Sequence, residues 1–268
     1  MPTVERAGRS VHFSLVGDGP GVVLVPGVGS GALLFGTLPR RFLRSGCSCA
    51  AVDPVGLPPS SPLPAAGFDF GDAADDVLAV ALRLPRPRAL VGTSLGGKVA
   101  LLAASRAPHE IDRLVLLASA ALPSPRARAV YRMFEALAGG ADGHRFGDVL
   151  APFLFGATFH ARHPDVVAAI ARTPPSAESL QLMRAQAKAL AEFDGADAAR
   201  RCTVPTLCLA GAEDTLTLPA EVAATAALIP GARHLLIPDA GHSLLLESAA
   251  AFTAVIDFVR GHARENPS

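Results

Sequence analysis

The sequence predicts an α/β fold, a mostly parallel, doubly wound sheet with a block of helices inserted into it. Three observations carry this. Short unbroken apolar runs at 22–25, 114–117 and 207–210 read as strands buried on both faces, as a parallel sheet requires. Helical patterns separate these runs, and such alternation implies right-handed crossovers with helices covering both faces. From 122 to 199 the chain turns Ala/Arg-rich and helical, is broken by Pro123, Pro125, Pro152, Pro164, Pro174 and Pro175, and offers no strong strand. The domain reading is a core of residues 1–121 and 200–268 with a helical insertion at 122–199.

In chain order, 10–15 alternates polar and apolar residues like a half-buried strand. Gly17-Asp18-Gly19-Pro20-Gly21 is turn chemistry, and it leads into the strand at 22–25. A glycine-rich loop follows at 26–31, then a helix over 33–44 and a strand over 49–52. Residues 53–62 hold four prolines and a glycine and cannot be regular structure. Residues 70–82 form an amphipathic helix whose Asp72, Asp75 and Asp76 suit the positive end of the helix dipole. A strand at 89–91 enters a sharp turn, and a helix at 95–105 leaves it. After the insertion come a strand at 205–210, a helix from 220, a buried strand at 234–237 and a closing helix over 246–260.

Composition narrows the function. The 268 residues are half hydrophobic and the formal net charge is zero, so nothing calls for nucleic acid or an anionic membrane surface. The N-terminus has no signal-type apolar run, and no stretch of about 18 apolar residues exists, so the expectation is a cytoplasmic protein. Cys47, Cys49, Cys202 and Cys208 are too scattered for a disulfide framework or a C-x-x-C zinc site, and Cys208 reads as core. The expected partner is a small-molecule substrate, without cofactor or metal, acted on by a monomer or homodimer.

The chemistry centres on Gly92-Thr93-Ser94-Leu95-Gly96, a G-x-S-x-G turn between strand and helix. Residues two either side of the serine pack too closely for side chains, so both are glycine. The helix beginning after Ser94 points free N–H groups at any developing oxyanion. A serine hydroxyl needs a base, and the base needs an acid to orient it. Of the eight histidines, His242 in Gly241-His242-Ser243 stands in a loop after a strand and before the last helix, as the chain order Ser–Asp–His asks. The other seven read as surface or packing residues. Asp214 in Gly211-Ala212-Glu213-Asp214 is the acid, with Glu213 its rival. The backbone N–H of Leu95 supplies one oxyanion donor, and Val28, in the loop after the strand at 22–25, supplies the second.

These pieces resemble the α/β-hydrolase family across nearly the whole chain. Pro26-Gly27-Val28-Gly29 matches the oxyanion loop, Asp53 and Gly56 the loop after the next strand, Gly92 to Gly97 the elbow, Gly211 to Asp214 the acid and Gly241-His242 the base. The run from Ala191 to Leu207 is similar to the branch holding 3-oxoadipate enol-lactonases and related esterases. Three departures stand out. Val55 replaces a usual arginine, which removes the salt bridge expected there; Pro58 replaces a usual glycine; and the insertion lacks tryptophan. The resemblance implies a helical cap over Ser94 that encloses an apolar pocket, with Phe134, Phe146, Phe153, Phe155 and Phe159 available to line it. His160 and His163 have metal-like spacing but no third ligand nearby.

Three readings follow. The first is a serine hydrolase cleaving a carboxylic ester or lactone of a small apolar substrate. The second keeps the triad for C–C bond hydrolysis, perhydrolysis or intramolecular acyl transfer. The third is a small-molecule receptor with little turnover.

Overall fold

The computed structural model describes residues 2–140 and 146–261. Strands β1 (Thr3–Arg6), β2 (Arg9–Val16), β3 (Gly21–Val25), β4 (Ser48–Asp53), β5 (Arg88–Thr93), β6 (Arg113–Leu117), β7 (Thr206–Gly211) and β8 (Arg233–Ile237) form one sheet. Its order is β1-β2-β4-β3-β5-β6-β7-β8. The pairs β1–β2 and β2–β4 are antiparallel, and every other pair is parallel. The first strand is an addition to the sequence reading. It is four residues long, too short for a periodic signal, and the Ala7-Gly8 turn, both residues at positive φ, folds it onto β2.

Side-chain alternation along the central strands builds two cores. Val23, Val25, Leu90, Leu114, Leu116, Cys208 and Ala210 face α2 (Phe70–Ala81), α3 (Leu95–Arg106) and α10 (Pro219–Leu228). Val22, Leu24, Val91, Val115, Leu117 and Leu209 face α1 (Leu38–Arg44) and α12 (Ala249–Val259), where Phe42 and Phe252 meet edge to face at 5.2 Å. This is the two-faced burial that the continuous apolar runs demand.

Two expected helices are each divided. Residues 33–44 split into a short 3-10 turn (Ala32–Phe35) and α1, because Gly36 sits at φ 47 and Pro39 opens the second piece. The closing helix splits into α11 (Leu244–Glu247) and α12 at Ser248, whose hydroxyl accepts the Ala251 N–H and restarts the helix. The last strand also differs from expectation. β8 is an exposed edge rather than a buried strand: Arg233 to Leu236 are all exposed and only Ile237 is buried. An apolar tetrapeptide looks the same whether its outer neighbour is another strand or solvent.

Between β6 and β7 lie α4 (Pro125–Gly139), α5 (Phe146–Leu154), α6 (Ala157–Arg162), α7 (Pro164–Ala171), α8 (Ala177–Glu192) and α9 (Ala196–Arg201). Ser124 and Ser176 cap α4 and α8 by accepting the Ala127 and Ser179 N–H groups. Helix α8 buries Leu182, Met183, Gln186, Ala187 and Leu190, a stripe at three- and four-residue steps, and packs along α4. Helix α9 packs on α3 and α10. His144, His262 and the side chain of Phe146 lie outside the described residues.

The connection from β3 to β4 runs one way along the sheet, and the return to β5 comes back on the other side of β3. Crevices that bind ligands in such sheets lie beyond the carboxyl ends of the strands where the order reverses. Here those ends lead into Pro26 and Ser94. All four cysteines are free and buried. No described helix is long and apolar enough to cross a membrane.

Candidate active site

Ser94 stands at φ 55, ψ −118, between the last residue of β5 and the first of α3. This is strained backbone for a residue with a side chain. Its N–H donates to Leu117 O at 2.8 Å, and its carbonyl accepts the Gly97 N–H at 3.0 Å. The flanking glycines are there for space. A Cβ at Gly92 would overlap the Gly96 carbonyl, and one at Gly96 would overlap the Val25 and Pro26 carbonyls. The turn is thus wedged against the loop leaving β3, which is where the second oxyanion donor is expected.

That loop is held from outside the core. Gly29, at φ 65, donates its N–H to Gln186 Oε1 at 2.7 Å and accepts the Ser179 hydroxyl at its carbonyl. A Cβ on Gly29 would meet Met183. Ser179, Met183 and Gln186 form one face of α8, so the residue next to Val28 is clamped by a single helix stripe. Gln186 is 1 % exposed. Leu95 is the first residue of α3, where the N–H groups have no partner within the helix.

At the other side of the sheet's carboxyl edge, His242 Nδ1 lies 2.9 Å from Asp214 Oδ2. The second carboxylate oxygen accepts the Leu216 N–H at 2.8 Å and the Thr217 N–H at 3.0 Å. Both residues are buried. A carboxylate facing Nδ1 makes that nitrogen the donor and leaves Nε2 as the basic one. Asp214, not Glu213, is therefore brought to the histidine. Glu213 turns to α6, where it accepts the Thr158 N–H at 2.8 Å and the Thr158 hydroxyl at 2.6 Å. Those hydrogen bonds, the hydroxyl's first, hold its pKa below the usual glutamate value. Among the described residues no hydrogen bond joins Ser94 to His242. Such bonds are often long before substrate arrives.

A carboxylate that sequence reading passed over braces the histidine loop. Glu247 Oε2 accepts the Gly156 and Gly241 N–H groups, each at 2.8 Å, and Oε1 accepts the Ser243 N–H at 2.8 Å. Gly241 and Ser243 flank His242, and Gly156 opens α6. The only sequence signal is the position of a glutamate five residues after the histidine. Its bond to Gly156 spans 91 residues.

The expected aromatic lining divides. Phe153 packs in the cluster of Phe134, Leu150, Met183 and Leu216 that also touches Val28. Phe155 and Phe159 stack at 5.2 Å in a separate cluster with Ala151, Val167 and Ala171. His160 Nε2 lies 3.2 Å from Ala151 O, and the His163 ring packs on Phe159. No three described His, Cys, Asp or Glu residues gather as metal ligands would.

Two more buried polar groups flank the site. His12 Nδ1 lies 2.7 Å from Asp53 Oδ2, and Asp53 Oδ1 accepts the Ala32 N–H at 2.7 Å. Lys98, one turn beyond Ser94, is buried, donates to Ala120 O and lies 5.3 Å from the Phe193 ring centre. Burial pulls its pKa down to about 8, against the opposing charge of Glu221.

A family model described as the alpha/beta hydrolase fold matches residues 20–249. A pimeloyl-[acyl-carrier protein] methyl ester esterase of Neisseria meningitidis is 32 % identical over 252 residues, covering 90 % of this chain and 93 % of its own. An esterase from Thermogutta terrifontis superposes with a TM-score of 0.82 at 26 % identity, over 97 % of this chain and 96 % of that one. The enol-lactonase of Burkholderia xenovorans does so with 0.83 at 25 % identity, over 97 % and 100 %.

Proposed function

This chain belongs to the alpha/beta hydrolase family and is a hydrolase, and from that premise we propose that it cleaves a carboxylic ester or lactone of a small apolar substrate with Ser94, His242 and Asp214 as its catalytic triad. The observation that most supports this is the buried His242–Asp214 hydrogen bond, which leaves Nε2 basic at the sheet edge where Ser94 holds its strained turn.

In the proposed reaction Nε2 takes the Ser94 proton as Oγ attacks the carbonyl carbon. Asp214 stabilises the imidazolium that forms, and the backbone N–H groups of Leu95 and Val28 receive the oxyanion. Collapse expels the alkoxide, which takes the proton from His242. With a lactone the alcohol stays tethered to the acyl group. A water molecule, deprotonated by the same nitrogen, attacks the acyl-serine; as the acid leaves, His242 returns the proton to Ser94 Oγ. No redox step and no cofactor enters.

The test is peptide mass spectrometry after fluorophosphonate treatment of the wild type and His242→Ala. A phosphonyl adduct on Ser94 in the wild type, and its loss in the variant, is expected. A folded wild type that takes no adduct would remove the triad reading.

A further inference from the structure

A cavity of about 50 Å³ opens beside the elbow. Val25, Pro26, Val52, Val77, Leu95 and Val99 form much of its wall, and residues of β2, of α2, of the loop between β4 and α2, and Gln186 of α8 complete it. The wall is mostly apolar. It touches Leu95, one proposed oxyanion donor, and Pro26, two residues before the other, and it includes nothing from β6, β7 or β8.

From this placement we propose that the cavity is the acyl subsite, and that it takes a short, linear, uncharged acyl chain. The inference rests on the serine-hydrolase reading above. A tetrahedral centre on Ser94 has three other substituents. The oxyanion turns to Leu95 and Val28, and the leaving group must face His242 to be protonated. The sheet order sets β5, with Ser94 at its end, between the β3–β4 side and the β7–β8 side that carries Asp214 and His242. The remaining substituent, the acyl chain, is therefore directed to the β3–β4 side, where the cavity lies.

Its size and its charged lining set the chemistry. Each water-sized group needs about 10–15 Å³ of such space, so the cavity holds roughly four, a butanoyl or pentanoyl group. The charged lining residues are Arg9, Asp69, Asp72 and Asp76, and Gln186 is a further polar one. Arg9 is already paired with Asp72 at 2.9 Å and Asp76 at 3.3 Å, and Arg6 reaches Asp76 at 2.6 Å. Among the described lining residues the one cation, Arg9, is already paired, and carboxylates outnumber guanidinium groups, so an anionic chain end is disfavoured.

The experiment measures kcat/KM on p-nitrophenyl esters from acetyl to decanoyl, and on ethyl pentanoate against monoethyl succinate. It uses the wild type, Ala73→Leu, which grows a side chain into the cavity, and Val99→Ala, which enlarges it. The wild type is expected to peak at butanoyl or pentanoyl and to favour the uncharged ethyl ester at least tenfold. Ala73→Leu should cut the butanoyl-to-acetyl ratio at least tenfold, and Val99→Ala should move the peak up by one or two carbons. The opposite signs separate a subsite effect from general damage. Unchanged chain-length profiles in both variants, with fluorophosphonate labelling of wild-type Ser94 intact, would overturn the subsite and leave the serine-hydrolase reading standing. Equal rates on the two ethyl esters would overturn the uncharged chain. A wild type that neither labels nor turns over any ester overturns both.

Discussion

Gln186 holds a backbone group next to a proposed oxyanion donor and also lines the cavity beside the elbow. Its Oε1 holds the Gly29 N–H, and Gly29 shares a peptide with Val28. If Val28 N–H receives the oxyanion, the tilt of that loop is set from α8. Loss of a direct oxyanion donor costs about 10²–10³ in kcat. Gln186→Leu removes the brace while keeping a side chain of similar size in the cavity wall that Gln186 also lines, so kcat is expected to fall about 10- to 100-fold with KM little changed, measured by steady-state hydrolysis of one good ester. A rise in KM at constant kcat would assign Gln186 to substrate binding instead. At this scale the elbow was legible in the sequence, because Gly92, Ser94 and Gly96 clash or fit within five residues. Asp214 and His242 were legible because each follows a recognisable strand. Gln186 was not, because it acts across 157 residues on a backbone group that has no sequence signature.

Among the elements, the segment from the end of α5 to the start of α6 is bound to the loops that carry Asp214 and His242. Glu213 grips Thr158, Glu247 grips Gly156, and Leu154 O accepts the Ser243 N–H at 3.0 Å. Gly241 fits against Gly156 so closely that a Cβ would overlap its nitrogen. The helices between β6 and β7 thus reach the histidine through backbone contacts. Glu247→Ala leaves three N–H groups without their acceptor, each worth about 1–3 kcal/mol when buried. The His242 loop should loosen, kcat/KM should drop at least tenfold, and the acid limb of the pH–rate profile should move. A variant with lowered thermal stability but an unchanged profile would make Glu247 structural only. The same scale holds the misreadings. The division of two helices at Gly36 and Ser248 turned on single residues inside otherwise helical patterns, and β8 looked buried because edge and centre strands share a composition.

For the whole molecule, buried ionisable groups set the pH response. Lys98 has a native pKa near 8 against an ordinary 10.5, because burial penalises its charge. Between those values the unfolded chain binds the proton and the folded one does not, so this group makes stability rise with pH. Falling pH through the window removes that contribution, up to about 3 kcal/mol for the shift. The buried thiols of Cys47, Cys49, Cys202 and Cys208 and the Tyr131 phenol act oppositely. Burial raises all five, so they lose stability as pH climbs past their unfolded values. Lys98→Met isolates the lysine. Its urea midpoint should exceed the wild type's at pH 7.5, and the gap should close by pH 10; parallel curves would show that burial of the charge costs nothing.

What the sequence determined by itself was whatever depends on neighbours along the chain. Apolar runs specify buried strands, the glycines around Ser94 specify a turn too tight for side chains, and the loops carrying Asp214 and His242 follow from their strands. Those are short-range steric and burial constraints, and each is complete within a dozen residues. Only the tertiary structure decided that Glu213 turns to Thr158, which helix braces Gly29, that His12 pairs with Asp53, and where a cavity survives beside the elbow. These depend on hydrogen bonds and packing between segments tens to more than a hundred residues apart. Their partners are often backbone groups that every residue carries, so no pattern of side chains announces them.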